Sequence, residues 1–334
     1  MSITSAEIAK LANVSRSTVS RVVNNYSNVP EETRKKVQDV IERYGYEPNS
    51  FAQVLAGKTN REIVLCISDC DSESKRWKGS ESPYFMRLIA ELISQGKEFG
   101  YMISVFLVSR ESDFAKIENM FLSRSISGGI FVGFEYEMEA INRLIARGFN
   151  MVVIDPDADM VQAENVRGIY SQNQEAGYLA TRYLIEQGHS VIAHLCGDGR
   201  LSSRDRIIGY KKAMKEAGYE EADLLIETGG FECERSYAAA KKILRTGATA
   251  IFAANDLMAI VAMRAANDLD LKVPEDVKIV GCDYNAAYEA LGYHLTTITI
   301  SVRELARTAI RAVIGEEKKH RLICQATFRQ GTTA

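Results

Sequence analysis

Hydrophobic and polar positions alternate along this chain in two rhythms. Over residues 4–46 the rhythm is helical. Thr4-Ser5-Ala6-Glu7 has the capping-box pattern that opens a helix, and Ile8, Ala9, Leu11 and Ala12 give that helix an apolar face. Asn13 ends it. Ser15 is a good N-cap for a second helix, with Val19, Val22 and Val23 on one side and Arg16, Ser17, Ser20, Arg21 and Asn24 on the other. Val29-Pro30-Glu31-Glu32-Thr33 opens a third helix, with proline in its first turn and two acids at the positive end of the helix dipole. Val37, Val40, Ile41 and Tyr44 line the inner face of this helix, and Gly45 stops it. Two short helices joined by a tight turn predict a helix-turn-helix, whose second helix enters a DNA major groove. The segment 49–58 allows two more helical turns. That is too short to be stable alone in water, so DNA, a second copy of the chain, or both must order it.

From residue 61 onward the rhythm changes. Apolar runs predict strands at 62–68, 102–108, 129–134, 151–154, 166–170, 191–196, 224–227, 250–254 and 277–282. Helical patterns separate them at 84–99, 113–123, 137–147, 173–187, 204–217, 232–246 and 256–268. Strands that are apolar throughout, alternating with helices, predict parallel sheets covered on both faces. About ten strands suit two doubly wound lobes. Ligands bind such folds outside the carboxyl ends of the strands, here in the cleft between lobes.

Charge sharpens this picture. The net charge of −3 argues against a nucleic-acid protein until it is divided. Residues 1–60 carry eight Lys/Arg against six Asp/Glu, and the remainder carries 33 against 38, so a slightly basic head precedes an acidic body. Arg, Ser and Asn on the outer face of the second helix can donate to phosphates and base edges. No signal peptide opens the chain and no apolar run approaches the roughly 20 residues that span a bilayer, so a cytoplasmic location and no membrane partner are expected. The six cysteines are scattered, mostly in apolar runs, and read as reduced core residues.

Residues 3–60 resemble the DNA-binding head of the LacI/GalR family of bacterial transcription regulators. The resemblance is carried by Val14-Ser15-Arg16-Ser17-Thr18-Val19-Ser20-Arg21-Val22, Glu32-Thr33-Arg34, Gly45-Tyr46-Glu47-Pro48-Asn49 and Ala52-Gln53-Val54-Leu55. It continues through Arg204-Asp205-Arg206-Ile207-Ile208-Gly209-Tyr210, Ala254-Asn255-Asp256-Leu257-Met258-Ala259 and Val280-Gly281-Cys282-Asp283 to Arg329-Gln330-Gly331-Thr332. The resemblance implies base contacts by Arg16, Ser17 and Arg21. Asn24, Thr33 and Tyr46 are expected on the phosphate backbone, and so is Ser20, which faces the same way as Arg16, Ser17 and Arg21. It implies that Leu55 wedges into the minor groove where two hinge helices meet. The implied fold class is an N-terminal all-α helix-turn-helix head followed by an α/β two-lobed domain like periplasmic binding proteins, with parallel doubly wound sheets and three crossings between lobes. The expected divisions are a head at 1–48, a hinge helix and linker at 49–60, and an effector-binding and dimerisation domain at 61–334. Within the last, one lobe takes about 61–163 plus 297–319 and the other about 164–296 plus 320–334. Three departures stand out: Val29-Pro30 where the family usually has a serine cap, the stretch 69–82, longer and more charged than the family usually shows, and Gln172-Asn173 where it usually has Asp-Asn.

Arg206 and Asp283 each follow or face a strand end, so both can reach one cleft. A guanidinium donates to adjacent oxygens and a carboxylate accepts from two hydroxyls, which together suit a vicinal diol. The same two residues also suit a purely structural ion pair. The resemblance adds Asn255 and Arg200 as effector contacts. Trp77, in the charged stretch 69–82, can stack on a sugar face or belong to a solvated loop. The sequence thus predicts a homodimeric repressor that a small molecule, a sugar, releases from a near-palindromic double-stranded DNA operator. An anionic effector (phosphosugar, sugar acid or purine) acting as corepressor is the alternative, suggested by Arg200, Arg204 and Arg206 lying together; a sugar transport protein is a second. Catalysis is not expected. No GxGxxG or P-loop is present, the four histidines have no ligand spacing, and neither a cofactor nor a metal site is indicated.

Overall fold

The computed structural model describes residues 3–46, 60–68, 71–72, 75–76, 82–134, 139–156 and 163–334. Two compact units divide the chain, the boundary falling between Asn60 and Arg61.

Among its described residues the head has three helices, α1 (Ser5–Leu11), α2 (Arg16–Val23) and α3 (Glu31–Tyr44). The Thr4 side chain accepts from the Glu7 amide while the Glu7 carboxylate accepts from the Thr4 amide, closing the capping box. Ser15 caps α2 by accepting from the Thr18 amide at 3.1 Å. Pro30 caps α3 without a side-chain hydrogen bond, and Gly45 ends that helix in the left-handed conformation at φ 60°. Ile8, Ala9, Ala12, Val19, Val22, Val29 and Val37 form the core, with Tyr46 packed at its margin. Tyr44, expected inside, is 48% exposed. It stands one residue before the glycine stop, where the helix has run past the small core.

Among the described residues, the body contains two six-stranded sheets and a two-stranded hairpin. Its strands are β1 (Glu62–Ser68), the hairpin pair β2 (Asp71–Ser72) and β3 (Lys75–Arg76), β4 (Met102–Val108), β5 (Gly128–Val132), β6 (Met151–Ile154), β7 (Val166–Ser171), β8 (Ile192–Cys196), β9 (Leu225–Thr228), β10 (Ala250–Ala253), β11 (Lys278–Cys282), β12 (Thr296–Ile300), β13 (Arg321–Cys324) and β14 (Ala326–Arg329). Between them lie α4 (Pro83–Glu98), α5 (Phe114–Leu122), α6 (Glu139–Ala146), α7 (Asn173–Glu186), α8 (Leu201–Glu216), α9 (Cys233–Leu244), α10 (Asp256–Asn267), α11 (Ala286–Ala290) and α12 (Val302–Val313). The first sheet runs β13-β7-β6-β5-β1-β4, all parallel. The second runs β14-β12-β11-β10-β8-β9, parallel except for β14 against β12.

Alternation along single strands builds the cores. Ile63, Leu65 and Ile67 of β1 pack with Leu88 and Leu92 of α4 and with Leu305 and Ile310 of α12. Val64 and Cys66, on the other face, pack with Phe114, Ile117 and Ile141. Both faces are covered, which is why residues 63–67 of β1 are all apolar. The second sheet repeats the plan. Ile251 and Ala253 pack toward α9 and α10, while Ala250 and Phe252 pack toward α7 and α8. Of the cysteines, Cys66, Cys196, Cys282 and Cys324 are buried, whereas Cys233, expected in the core, is exposed at the start of α9.

The lobe limits differ from those expected. β7 and β13 belong to the first sheet and β12 to the second, so the chain crosses between lobes at residues 171–173, 300–302 and 324–326. The first crossing follows β7, which completes its pairing with β6, from Met151↔Val166 to Ile154↔Ile169, before the chain leaves the sheet; the other two follow β12 and β13. Gln172 ties two crossings together: its amide donates to the Cys324 carbonyl at 3.1 Å, and its side-chain oxygen accepts from the Ala326 amide at 3.1 Å.

α7 and α8 cross at backbone contact. A Cβ on Gly209 would lie 2.0 Å from the Gln174 carbonyl oxygen, and one on Gly177 would lie 2.1 Å from that of Arg206. Gly209→Ala should therefore push the helices apart and cost about 1–3 kcal/mol, as overpacking does. Urea unfolding of the full chain should show a lowered midpoint; an unchanged midpoint would mean that the crossing has slack.

Candidate functional site

On the head, Arg16, Ser17, Ser20 and Arg21 are exposed on one side of α2, opposite the buried Val19 and Val22. The Arg16 Nε donates to the Ser5 hydroxyl at 3.0 Å, so α1 holds the guanidinium end of that side chain. Asn24 donates to the Ser20 hydroxyl at 3.3 Å, one helical turn away. Asn24, Thr33 and Tyr46 are half-buried. Arg34, part of the Glu32-Thr33-Arg34 stretch, clamps the turn between α2 and α3: it donates to the Tyr26 carbonyl at 2.7 Å and to the Asn25 side chain at 3.2 Å. Leu55 and the hinge, expected at 49–60, lie outside the described residues apart from Asn60; so does Trp77.

In the body, a cavity of about 430 Å³ opens between the lobes at the carboxyl ends of their strands. The first lobe contributes Ser82 and Tyr84 from the start of α4 and Asp155 from the end of β6. The second contributes Arg206, Phe231, Asn255 and Asp283. Arg206, Asp283, Asn255 and Arg200 are thus brought together as the sequence anticipated.

Arg206 is 6% exposed and organises the floor. Its Nε donates to the Asn173 side chain at 3.1 Å, one terminal nitrogen to the Ala254 carbonyl, and the other to Asp283 Oδ1 at 2.9 Å. Burial works against this charge, but the Asp283 carboxylate together with the neighbouring Cys282 and Tyr84 outweighs it, so the guanidinium stays above its ordinary range. The ion pair and the cavity lining are therefore the same residues. Asn255 caps α10 by accepting from the Met258 amide at 2.8 Å. Arg200 precedes α8, which begins three residues earlier than its apolar pattern suggested. Its Nε donates to both oxygens of Asp198, at 2.9 and 3.0 Å, and its guanidinium lies 4.4 Å from the Phe231 ring centre.

Three cavity residues other than glycine adopt positive φ: Asp155 at 49°, Phe231 at 58° and Asp283 at 96°. Such backbone persists only where its surroundings enforce it, and it clusters at ligand sites. Asp155 accepts from the Ser171 amide at 2.6 Å, and burial pushes its carboxyl up to about 6. The sequence reading passed over Asp155, Asp198 and Phe231, although each follows a strand end just as Asp283 does. His194, by contrast, is structural. It stacks on Phe252 at 4.5 Å, its Nδ1 donates to the Phe252 carbonyl at 2.9 Å, and burial lowers its pKa to about 4.

Asp256 stands behind Asp283. It accepts from the Thr297 hydroxyl at 2.6 Å and the Asn285 amide at 3.1 Å, and burial raises its carboxyl to about 7. The folded state therefore holds a proton that the unfolded chain, with a carboxyl near 3.9, releases earlier. Stability from this group is greatest below about pH 4 and declines as pH rises toward 7. Asp256→Asn should flatten the fall in unfolding free energy between pH 4.5 and 7; a slope equal to that of the unaltered chain would remove Asp256 from the account.

A helix-turn-helix head joined to a two-lobed α/β body with a ligand-sized cleft defines a class: bacterial DNA-binding transcription regulators. Residues 4–49 match the model for bacterial regulatory proteins of the lacI family, and residues 181–328 match the periplasmic binding protein-like domain. The chain is 31% identical over 329 residues to the HTH-type transcriptional repressor PurR of Pasteurella multocida (strain Pm70), covering 96% of this chain and 94% of that protein. It is 32% identical over 336 residues to the HTH-type transcriptional regulator DegA of Bacillus subtilis (strain 168), covering 95% and 94%. The lac repressor dimer bound to operator and the anti-inducer ONPF superposes with a TM-score of 0.83 at 26% identity, covering 100% of this chain and 99% of that one. The transcriptional regulator CelR–cellobiose complex gives 0.67 at 25%, covering 99% and 100%. The chain belongs to the lacI family of bacterial regulatory proteins and is a DNA-binding transcriptional regulator.

Proposed function

We propose that this chain is a homodimeric repressor that a small, neutral, hydroxyl-rich molecule, a sugar, releases from a near-palindromic operator. The charge balance of the cavity carries the choice of effector. Asp155, Asp198, Glu232 and Asp283 line it against Arg200 and Arg206, and each arginine already has an aspartate partner. An anionic effector would enter a field of excess carboxylates, whereas hydroxyls can donate to them and accept from the amides beside them. The CelR–cellobiose neighbour supports the same reading. The PurR relatives and the Phe231 ring favour a second one, a purine. On the head, we assign base reading to Arg16, Ser17 and Arg21, phosphate contacts to Ser20, Asn24, Thr33 and Tyr46, and the minor-groove wedge to Leu55; Trp77 is assigned to stacking on the effector.

A thermal-shift panel tests the effector class, because a ligand that binds only the folded state raises its melting temperature. D-ribose, D-galactose and cellobiose are set against glucose 6-phosphate, guanine and hypoxanthine. The proposal expects a shift from a neutral sugar, and loss of operator binding in a gel-shift assay with the same sugar. A shift from guanine or hypoxanthine alone would establish the purine reading, and one from the phosphate alone would overturn the charge argument.

A further inference from the structure

The loop that carries Asp283 is anchored mainly within its own lobe. The Asp283 amide donates to the Ile298 carbonyl at 2.8 Å, its carboxylate accepts from Arg206 at 2.9 Å, and the Asn285 amide donates to Asp256 at 3.1 Å. Between them, Tyr284 also has positive φ, 46°, and its hydroxyl donates to Glu289 at 2.7 Å. One further anchor comes from the opposite lobe. Arg87, on α4, donates from its guanidinium to the Tyr284 carbonyl, with the guanidinium 5.8 Å from the tyrosine ring centre. Arg87 is not among the residues that line the 430 Å³ cavity. It sits one turn along α4 from Pro83 and Tyr84, which are.

We propose that Arg87 is a positioning residue for effector binding. Its hydrogen bond joins the two lobes at the loop that holds Asp283, so it biases the ligand-free body toward a closed cleft and keeps Asp283 in its left-handed conformation. A charged donor on a backbone carbonyl is among the stronger hydrogen bonds, and it is made only when the lobes approach. An effector that touches both lobes gains from the same closure, and a population already closed costs it less to bind. The inference rests on the cavity being the effector site.

The test uses the full chain with Arg87→Met, which keeps an aliphatic stem, and Arg87→Lys, which keeps a donor. Amide hydrogen exchange of the ligand-free protein is followed in the peptides covering 283–290 and, as controls, in α4 and α9. Arg87→Met should speed exchange at 283–290 roughly tenfold with α9 unchanged, and Arg87→Lys should restore part of the protection. Unchanged exchange at 283–290 overturns the proposal. So does faster exchange confined to α4, which would make Arg87 a support for its own helix. A second arm measures D-ribose, D-galactose and cellobiose binding, expected to weaken about tenfold in Arg87→Met. If none binds the unaltered chain, the sugar reading fails while the exchange result still decides the role of Arg87.

Discussion

Arg206→Met should abolish the effector response and destabilise the body by about 3–5 kcal/mol, the usual cost of removing one partner from a buried ion pair. Three acceptors lose their donor at once: Asp283 Oδ1, Asn173 Oδ1 and the Ala254 carbonyl. The Asp283 side chain is only 19% exposed, so water can replace little of what is lost. Urea unfolding gives the magnitude. The double variant Arg206→Met/Asp283→Asn separates structure from binding. It removes the orphaned charge while asparagine still tolerates the left-handed backbone, so more than half of the lost stability should return. The response to sugar in a gel-shift assay should not return, because the fork that would hold adjacent hydroxyl oxygens is gone. If Arg206→Met keeps both its unfolding midpoint and its effector response, the cavity is not the control site. If the double variant stays as unstable as the single one, the ion pair is not what the floor depends on.

What could be read from the sequence divides by the range of the interaction behind it. The head was legible because its determinants are local: Thr4 meets Glu7, Ser15 meets the Thr18 amide, and Val19 and Val22 share a face. The strands of the body were legible because burial on both faces leaves continuous apolar runs. No strand or helix was placed beyond residue 282. β12, β13 and β14 are short segments whose partners lie far away in the chain, as in Arg321↔Gly168 and Thr297↔Arg329. α12 was readable and was passed over: Val302, Leu305, Ala306, Ala309, Ile310 and Val313 fall at helical spacing and are all buried. In the cavity, the polar partners Arg206 and Asp283 announced themselves by chemistry. Asp155 and Phe231 did not, since their importance comes from standing at the ends of β6 and β9 once those ends face each other. The close approach of Gly177 to the Arg206 carbonyl has no local signature either, yet it sets where that arginine sits.

Arg21→Ala should cut specific operator affinity by a factor on the order of 10² to 10⁴ and leave the fold intact. Arg21 is exposed in the last turn of α2, opposite the buried Val19 and Val22, so its removal touches no core contact. One bidentate contact to a base is worth about 1–3 kcal/mol of discrimination, and a dimer makes it twice. The salt dependence of binding identifies what the side chain touches. Loss of a phosphate contact would lower the slope of log K against log salt by about one per head and weaken all sequences alike. Loss of a base contact should leave the slope nearly unchanged and erase the gap between operator and random DNA. Arg21→Lys sharpens the distinction, because it keeps the charge and discards the planar fork. For a base reader, lysine should recover binding to random DNA but little of the operator preference. Recovery of full operator affinity by lysine, with a restored salt slope, would move Arg21 from the bases to the phosphate backbone and leave Arg16 and Ser17 to carry recognition from α2.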